Sequence, residues 1–235
     1  MEKDVPKRKV NHYDDGTPSV LRTPTNYRKL RFYHRSDVLY QLTREFCKRY
    51  FKKWGDRTVD QMVQAARSCK QNIVEGSEDG RASMEMEIKL LNTAKGSNSE
   101  LMEDYQDYLK CFNIPIWQEG HTRYHAMLAY CRTHYKLEDY QPLLPKMNAE
   151  EMANMALCLC HQVDKALATY IERKDREFTT EGGIKERMTA ARLEQRATQR
   201  QIIDQQKQEI ETLRREIDRL KKGKPLDGLD ELDCR

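Results

Sequence analysis

His121 and His125 stand four residues apart, so on a helix they would share one face at the spacing of a zinc-binding pair. The intervening Thr-Arg-Tyr lacks the glutamate that activates metal-bound water in zinc hydrolases, and no metal site is expected there. Cys158, Cys160 and His161 invite the same question. On a helix, residues two apart point to different sides, and no second ligand pair follows, so these cysteines read as buried thiols. Asn72 and Glu75 would need a third group for acid/base work that the sequence does not identify. No phosphate-binding glycine loop or nucleophile elbow is present. The chain is therefore read as non-enzymatic, without cofactor or metal.

Cationic side chains remain, and their chemistry is phosphate binding. Arg44, Lys48 and Lys52 recur every fourth residue, with Arg49 and Lys53 beside them, and Arg67 and Lys70 follow. Arg192, Arg196 and Arg200 repeat the same step further on. Glu45, Glu186 and Glu194 dilute these clusters, so solvated helix faces are the competing reading. From Tyr27 to Arg57 basic residues outnumber acidic ones by about three to one.

These residues need helices to hold them. With 38% hydrophobic and 34% charged residues, ten glycines and seven prolines, the composition suits an all-α protein. Ser36 or Asp37 is expected to cap a first helix with Val38 or Leu39, Leu42, Phe46 and Tyr50 inward, ending near Gly55. Thr58 is expected to cap a second, with Gly76 as its left-handed stop. Its apolar stripe is Met62, Ala65 or Ala66, Cys69 and Ile73, and a polar stripe of Gln61, Gln64, Ser68, Asn72 and Glu75 runs alongside. That polar stripe reads as an interhelical network reaching Ser97 or Glu100, or as a solvated face. Ser83 caps a third helix to about Lys110, with Ile88, Leu91, Ala94, Leu101, Tyr105 and Tyr108 inward; Gly96 inside it implies a close helix crossing. Asn148 with Glu151 starts a fourth, running to about Arg173.

The organisation expected is an unfolded or weakly docked arm (1–25), then an up-down four-helix bundle (26–178) with an insertion at 113–147. A suffix segment and long helix (179–222) and a flexible acidic tail (223–235) complete the chain. Within the long helix Ile203, Ile210 and Ile217 fall at heptad a, with Gln206, Leu213 and Leu220 at d. Ile at a with Leu at d favours a parallel pair, which assigns oligomerisation to Ile203, Ile210, Leu213, Ile217 and Leu220. A single helix docked on its own bundle is the alternative.

Gln61, Ala65, Ala66, Ser68 and the run Asn72-Ile73-Val74-Glu75-Gly76 resemble the signature of a bacterial four-helix-bundle family. That family includes the proteins encoded in intervening sequences of large-subunit ribosomal RNA and the accessory proteins of diversity-generating retroelements. Ser83, Ala94, Gly96-Ser97 and Glu100-Leu101 continue the likeness, and Tyr27 to Leu30 with Phe178 to Arg192 resemble the subgroup with a suffix segment. Met86 and Glu87 depart from it, standing where the family has an acidic residue and then Phe. The resemblance implies a homo-oligomeric ring, by analogy pentameric, that binds structured RNA or RNA–DNA, with a reverse transcriptase as partner. A purely structural protein–protein interaction module is the rival reading. No apolar run of membrane-spanning length and no secretory leader are seen, so a cytoplasmic protein without membrane contact is expected.

Overall fold

The computed structural model describes residues 11–23, 25–51 and 57–222, and it is all-α apart from one short hairpin. The bundle helices are α1 (Arg31–Tyr50), α2 (Arg57–Asp79), α3 (Met84–Cys111) and α6 (Ala149–Glu181). Between α3 and α6 lie α4 (Tyr124–Thr133) and α5 (Leu137–Tyr140), and α7 (Ile184–Lys222) follows α6.

Cross-helix contacts fix an up-down arrangement, because in each pair of helices a later residue of one meets an earlier residue of the other. Lys70 meets Asp37 while Met62 meets Cys47; Ser68 meets Ser97 while Gly76 lies against Leu90. Asn98 meets Cys160 while Glu87 meets Lys174, and Phe32 meets Tyr170 while Arg49 meets Met152. α1, α2, α3 and α6 thus run alternately up and down around one core. Leu39, Leu42, Phe46, Met62, Ile73, Leu101, Tyr105, Met152 and Leu159 fill it, each exposed by 1% or less.

The first helix begins earlier than its cap pattern suggests. Asn26 caps a turn of 3-10 helix (Tyr27–Lys29), and α1 starts at Arg31. Ser36 lies fully buried inside it, donating to the Tyr33 carbonyl at 2.7 Å, and Asp37 turns to Lys70. Burial of Phe32 repays extending the helix upstream of its best capping residues. Gly76 likewise is no stop. It lies within α2, where an added Cβ would come 3.3 Å from Leu90 Cβ and 3.4 Å from the Glu87 carbonyl oxygen, so the glycine admits α3 at close range. Gly96 shows the opposite: nothing lies within 4 Å of its Cβ direction, and the crossing expected there is absent.

Ser83 caps α3 by accepting from the Met86 amide at 3.2 Å. Asn148 and Glu151 cap α6 reciprocally, each bond 2.9 Å. That helix runs two turns past Arg173, to Glu181, and Gly182 at φ 76° ends it. The 113–147 connection docks closely. Trp117 donates from its amide to Asn154 Oδ1 and from Nε1 to Glu150 Oε1, both at 2.7 Å, and Tyr140 is fully buried. Within the 1–25 arm, β1 (Asn11–His12) pairs antiparallel with β2 (Pro18–Ser19). Arg22 ion-pairs with Glu181 and Glu177, and Arg187 Nη2 donates to the Leu21 carbonyl, which ties this hairpin to the α6–α7 junction.

Candidate nucleic-acid interface

The basic residues of α1 and α2 separate into two kinds. Arg49 reaches across to the insertion, donating from Nη1 to the Leu144 carbonyl at 2.7 Å and from Nη2 to the Met147 carbonyl at 2.8 Å. Tyr50 donates its hydroxyl to the same Met147 oxygen at 3.0 Å. Lys70 is held by Asp37 at 2.6 Å and lies over the Tyr40 ring. These two cations brace the fold, which leaves Arg44, Lys48 and Arg67 as the exposed ones not engaged by a carbonyl or carboxylate among the described residues. Lys52 and Lys53 lie outside the described residues. Arg44 and Lys48 line an α1–α2 groove of about 870 Å³, but Glu45 and Asp60 line it too and weaken its pull on an anion.

The polar stripe of α2 is brought together only in part. Ser68 Oγ and Ser97 Oγ are 2.9 Å apart, a direct α2–α3 link. Asn72 donates to the Ser68 carbonyl at 2.8 Å and to Ser68 Oγ at 3.1 Å, so it serves mainly its own helix. Gln61 and Glu100 share with the two serines the wall of an open cavity of about 450 Å³, whereas Glu75 points to solvent.

On α7 the arginine row Arg192, Arg196 and Arg200 is exposed, and none of the three has a carboxylate within 4.0 Å among the described residues. The heptad seam beyond it is uncovered: Ile203 48%, Ile210 50%, Leu213 51%, Ile217 49% and Leu220 67% exposed. Docking of this helix on its own bundle is thereby overturned. Past Ala191, no residue of α7 is buried.

Other sites resolve plainly. His121 stacks on Trp117 at 4.5 Å, and His125 packs edge-on against Tyr124. No group of three metal-binding side chains occurs among the described residues. Cys69, Cys158 and Cys160 are buried thiols, and burial pushes Cys69 up to about 12. No helix among the described residues is long and apolar enough to cross a membrane.

Sequence reasoning missed a buried charge pair. Glu87 occupies the core position on α3 that the pattern gave to Ile88; it lies 3.3 Å from Lys174 and accepts from the Tyr170 hydroxyl at 3.2 Å. A signal existed. Glu87 stands four residues before Leu91 and seven before Ala94 on the apolar stripe, and Lys174 four after Tyr170. Arg35 was missed as well, because it precedes Ser36 and Asp37, the expected cap of α1.

Comparison with family models, with curated proteins and with solved structures returns no match.

Proposed function

We propose that this protein is a non-enzymatic, oligomeric RNA-binding adaptor, of the kind the resemblance of its α2 signature and suffix segment implies. Its role is to assist a reverse transcriptase or another ribonucleoprotein in the cytoplasm, with structured RNA or RNA–DNA as ligand. The observation that carries this reading is the conjunction on α7. An unpaired arginine row directly precedes an uncovered Ile/Leu seam, so pairing two helices through the seam would bring two such rows together at the base of a fork. Contacts of this kind go to phosphates and to RNA shape rather than to base edges. Lys48, Arg44 and Arg67 add exposed charge on the bundle.

The test is a salt titration of binding to an RNA hairpin. Replacing Arg192, Arg196 and Arg200 by alanine is expected to reduce the slope of log affinity against log salt by up to about three units. An unchanged slope would remove the row from the interface. The exposed seam equally suits a module that binds only protein, and for that reading a full-length chain with no salt-dependent RNA affinity is the expected result.

A further inference from the structure

A different set of cations converges where α1, the end of α4 and α6 meet. Arg35, Arg132, Lys165 and Arg173 line a cavity of about 490 Å³, together with Gln162 and Thr169 and an apolar wall that includes Phe32 and Tyr170. Gln162, Lys165, Thr169 and Arg173 follow one another at steps of three and four, so one stripe of α6 faces the cavity. None of the four cations has a carboxylate within 4.0 Å among the described residues.

Arg35 is the unusual member. Only 8% exposed, it donates from Nη2 to the Cys131 and Arg132 carbonyls at 3.2 and 3.3 Å, capping the last turn of α4. Its Nε is buried and has no acceptor. Burial and the neighbouring Arg31 both work against its charge, with Tyr140, Cys131 and Cys158 working the other way, and the balance holds its pKa below the usual guanidinium value. Gln162 sits in the same wall with its carbonyl oxygen buried and unpaired, while its amide nitrogen meets Cys158 Sγ at 3.5 Å. Arg173 is seated over the Tyr170 ring at 4.6 Å, which orients its guanidinium plane.

A guanidinium buried among like charges without a counter-ion is costly, and an anion entering the cavity offsets that cost. Planar N–H forks match the oxygens of a phosphate. The cavity lies within the roughly 300–1,000 Å³ of small-molecule sites and exceeds what one phosphate fills; Phe32 and Tyr170 offer an apolar wall to whatever the phosphate is attached to. We propose that this cavity is a binding site for a phosphate ester, held by Arg35, Lys165 and Arg173. It stands apart from the α7 row and does not rest on the RNA reading.

The test uses the full chain and four probes in calorimetry: inorganic phosphate, a nucleoside 5′-monophosphate, the same nucleoside without phosphate, and a short single-stranded RNA. The monophosphate is expected to bind saturably and the bare nucleoside not. Lys165→Glu with Arg173→Glu, both at side chains that leave the core untouched, is expected to weaken binding at least tenfold while leaving the melting temperature in place. Arg35→Lys, which keeps the charge and loses the fork, is expected to weaken it also; should that variant fail to fold, the double variant still decides. If only the RNA binds, and the double variant weakens it, the phosphate is that of a nucleic-acid backbone. Absence of saturable binding by every phosphate-bearing probe, or equal affinity in the double variant, would overturn the site.

Discussion

Glu87 on α3 and Lys174 on α6 form an ion pair of 3.3 Å, with the Glu87 side chain 1% exposed and Lys174 10%. Glu177 adds a second carboxylate to Lys174 at 3.4 Å, and Arg22 reaches Glu177 at 3.7 Å, so the chain of charges runs from the core to the N-terminal hairpin. Gly80 makes room for it: a Cβ there would lie 2.7 Å from Glu87 Cδ.

Removing one partner of this pair is expected to be expensive. Lys174→Met leaves Glu87 buried without its cation and should cost on the order of 3 kcal/mol near neutral pH, measured by chemical denaturation. A loss under about half a kcal/mol would mean that the pair contributes little.

The same pair sets a pH dependence with a definite sign. Burial raises the Glu87 carboxyl above its ordinary range, despite the opposing pull of Lys174 and the Tyr170 hydroxyl. Its contribution to stability is therefore present below the ordinary carboxylate pKa and is lost as pH rises through the raised folded value. Burial works to lower Lys174, yet Glu87 leads the charges that outweigh it, so Lys174 is raised and its contribution is lost only in alkali. As pH rises out of the ordinary carboxylate range, the native chain should thus lose stability relative to Glu87→Gln. Parallel profiles would contradict the raised carboxyl.

Arg49 and Lys48 are adjacent in sequence and opposite in expected behaviour. Arg49→Ala strips the Leu144 and Met147 carbonyls of a charged donor and should cost about 1–2 kcal/mol, with no change in the salt slope of RNA binding. Lys48→Ala should change stability by less than about half a kcal/mol and lower that slope by up to about one unit. Denaturation and anisotropy on the two variants separate the roles, and an exchanged pattern would refute the assignment.

Gly96 and Gly76 invite the same substitution with different results. Alanine at Gly96 meets nothing within 4 Å and should stabilise α3 by roughly 0.5–1 kcal/mol. At Gly76 the same helix-propensity gain is opposed by Leu90 and the Glu87 carbonyl, so a smaller gain or a loss is expected. Thermal melts compare them directly.

Assembly separates the bundle from α7. The resemblance implies a ring built from bundle faces, whereas the Ile203–Leu220 seam favours pairs. Three heptads with Gln206 at a d position bury little. If the bundle self-associates as the resemblance implies, removing everything after Arg200 is therefore expected to leave that oligomer intact and to abolish any larger species in mass measurement. A truncated chain that runs as a monomer would place assembly in α7 alone.

The sequence by itself determined that the chain is helical, with apolar stripes that suit a bundle and with the starts of α3 and α6, because apolar steps of three and four, Ser83 and the Asn148–Glu151 cap are local physics. The heptad seam of α7 was legible for the same reason. The tertiary structure alone decided the rest: whether a charge faces water or a carbonyl depends on which helix arrives opposite. Arg49 and Lys48 carry the same charge in the sequence, yet only the folded insertion gives Arg49 two carbonyls. Gly76 and Gly96 are both interior helix glycines, and only the α2–α3 approach distinguishes them. Arg35, Arg132, Lys165 and Arg173 come from three helices, separated by up to 138 positions along the chain, and no pattern local to any one of them announces the cavity they share.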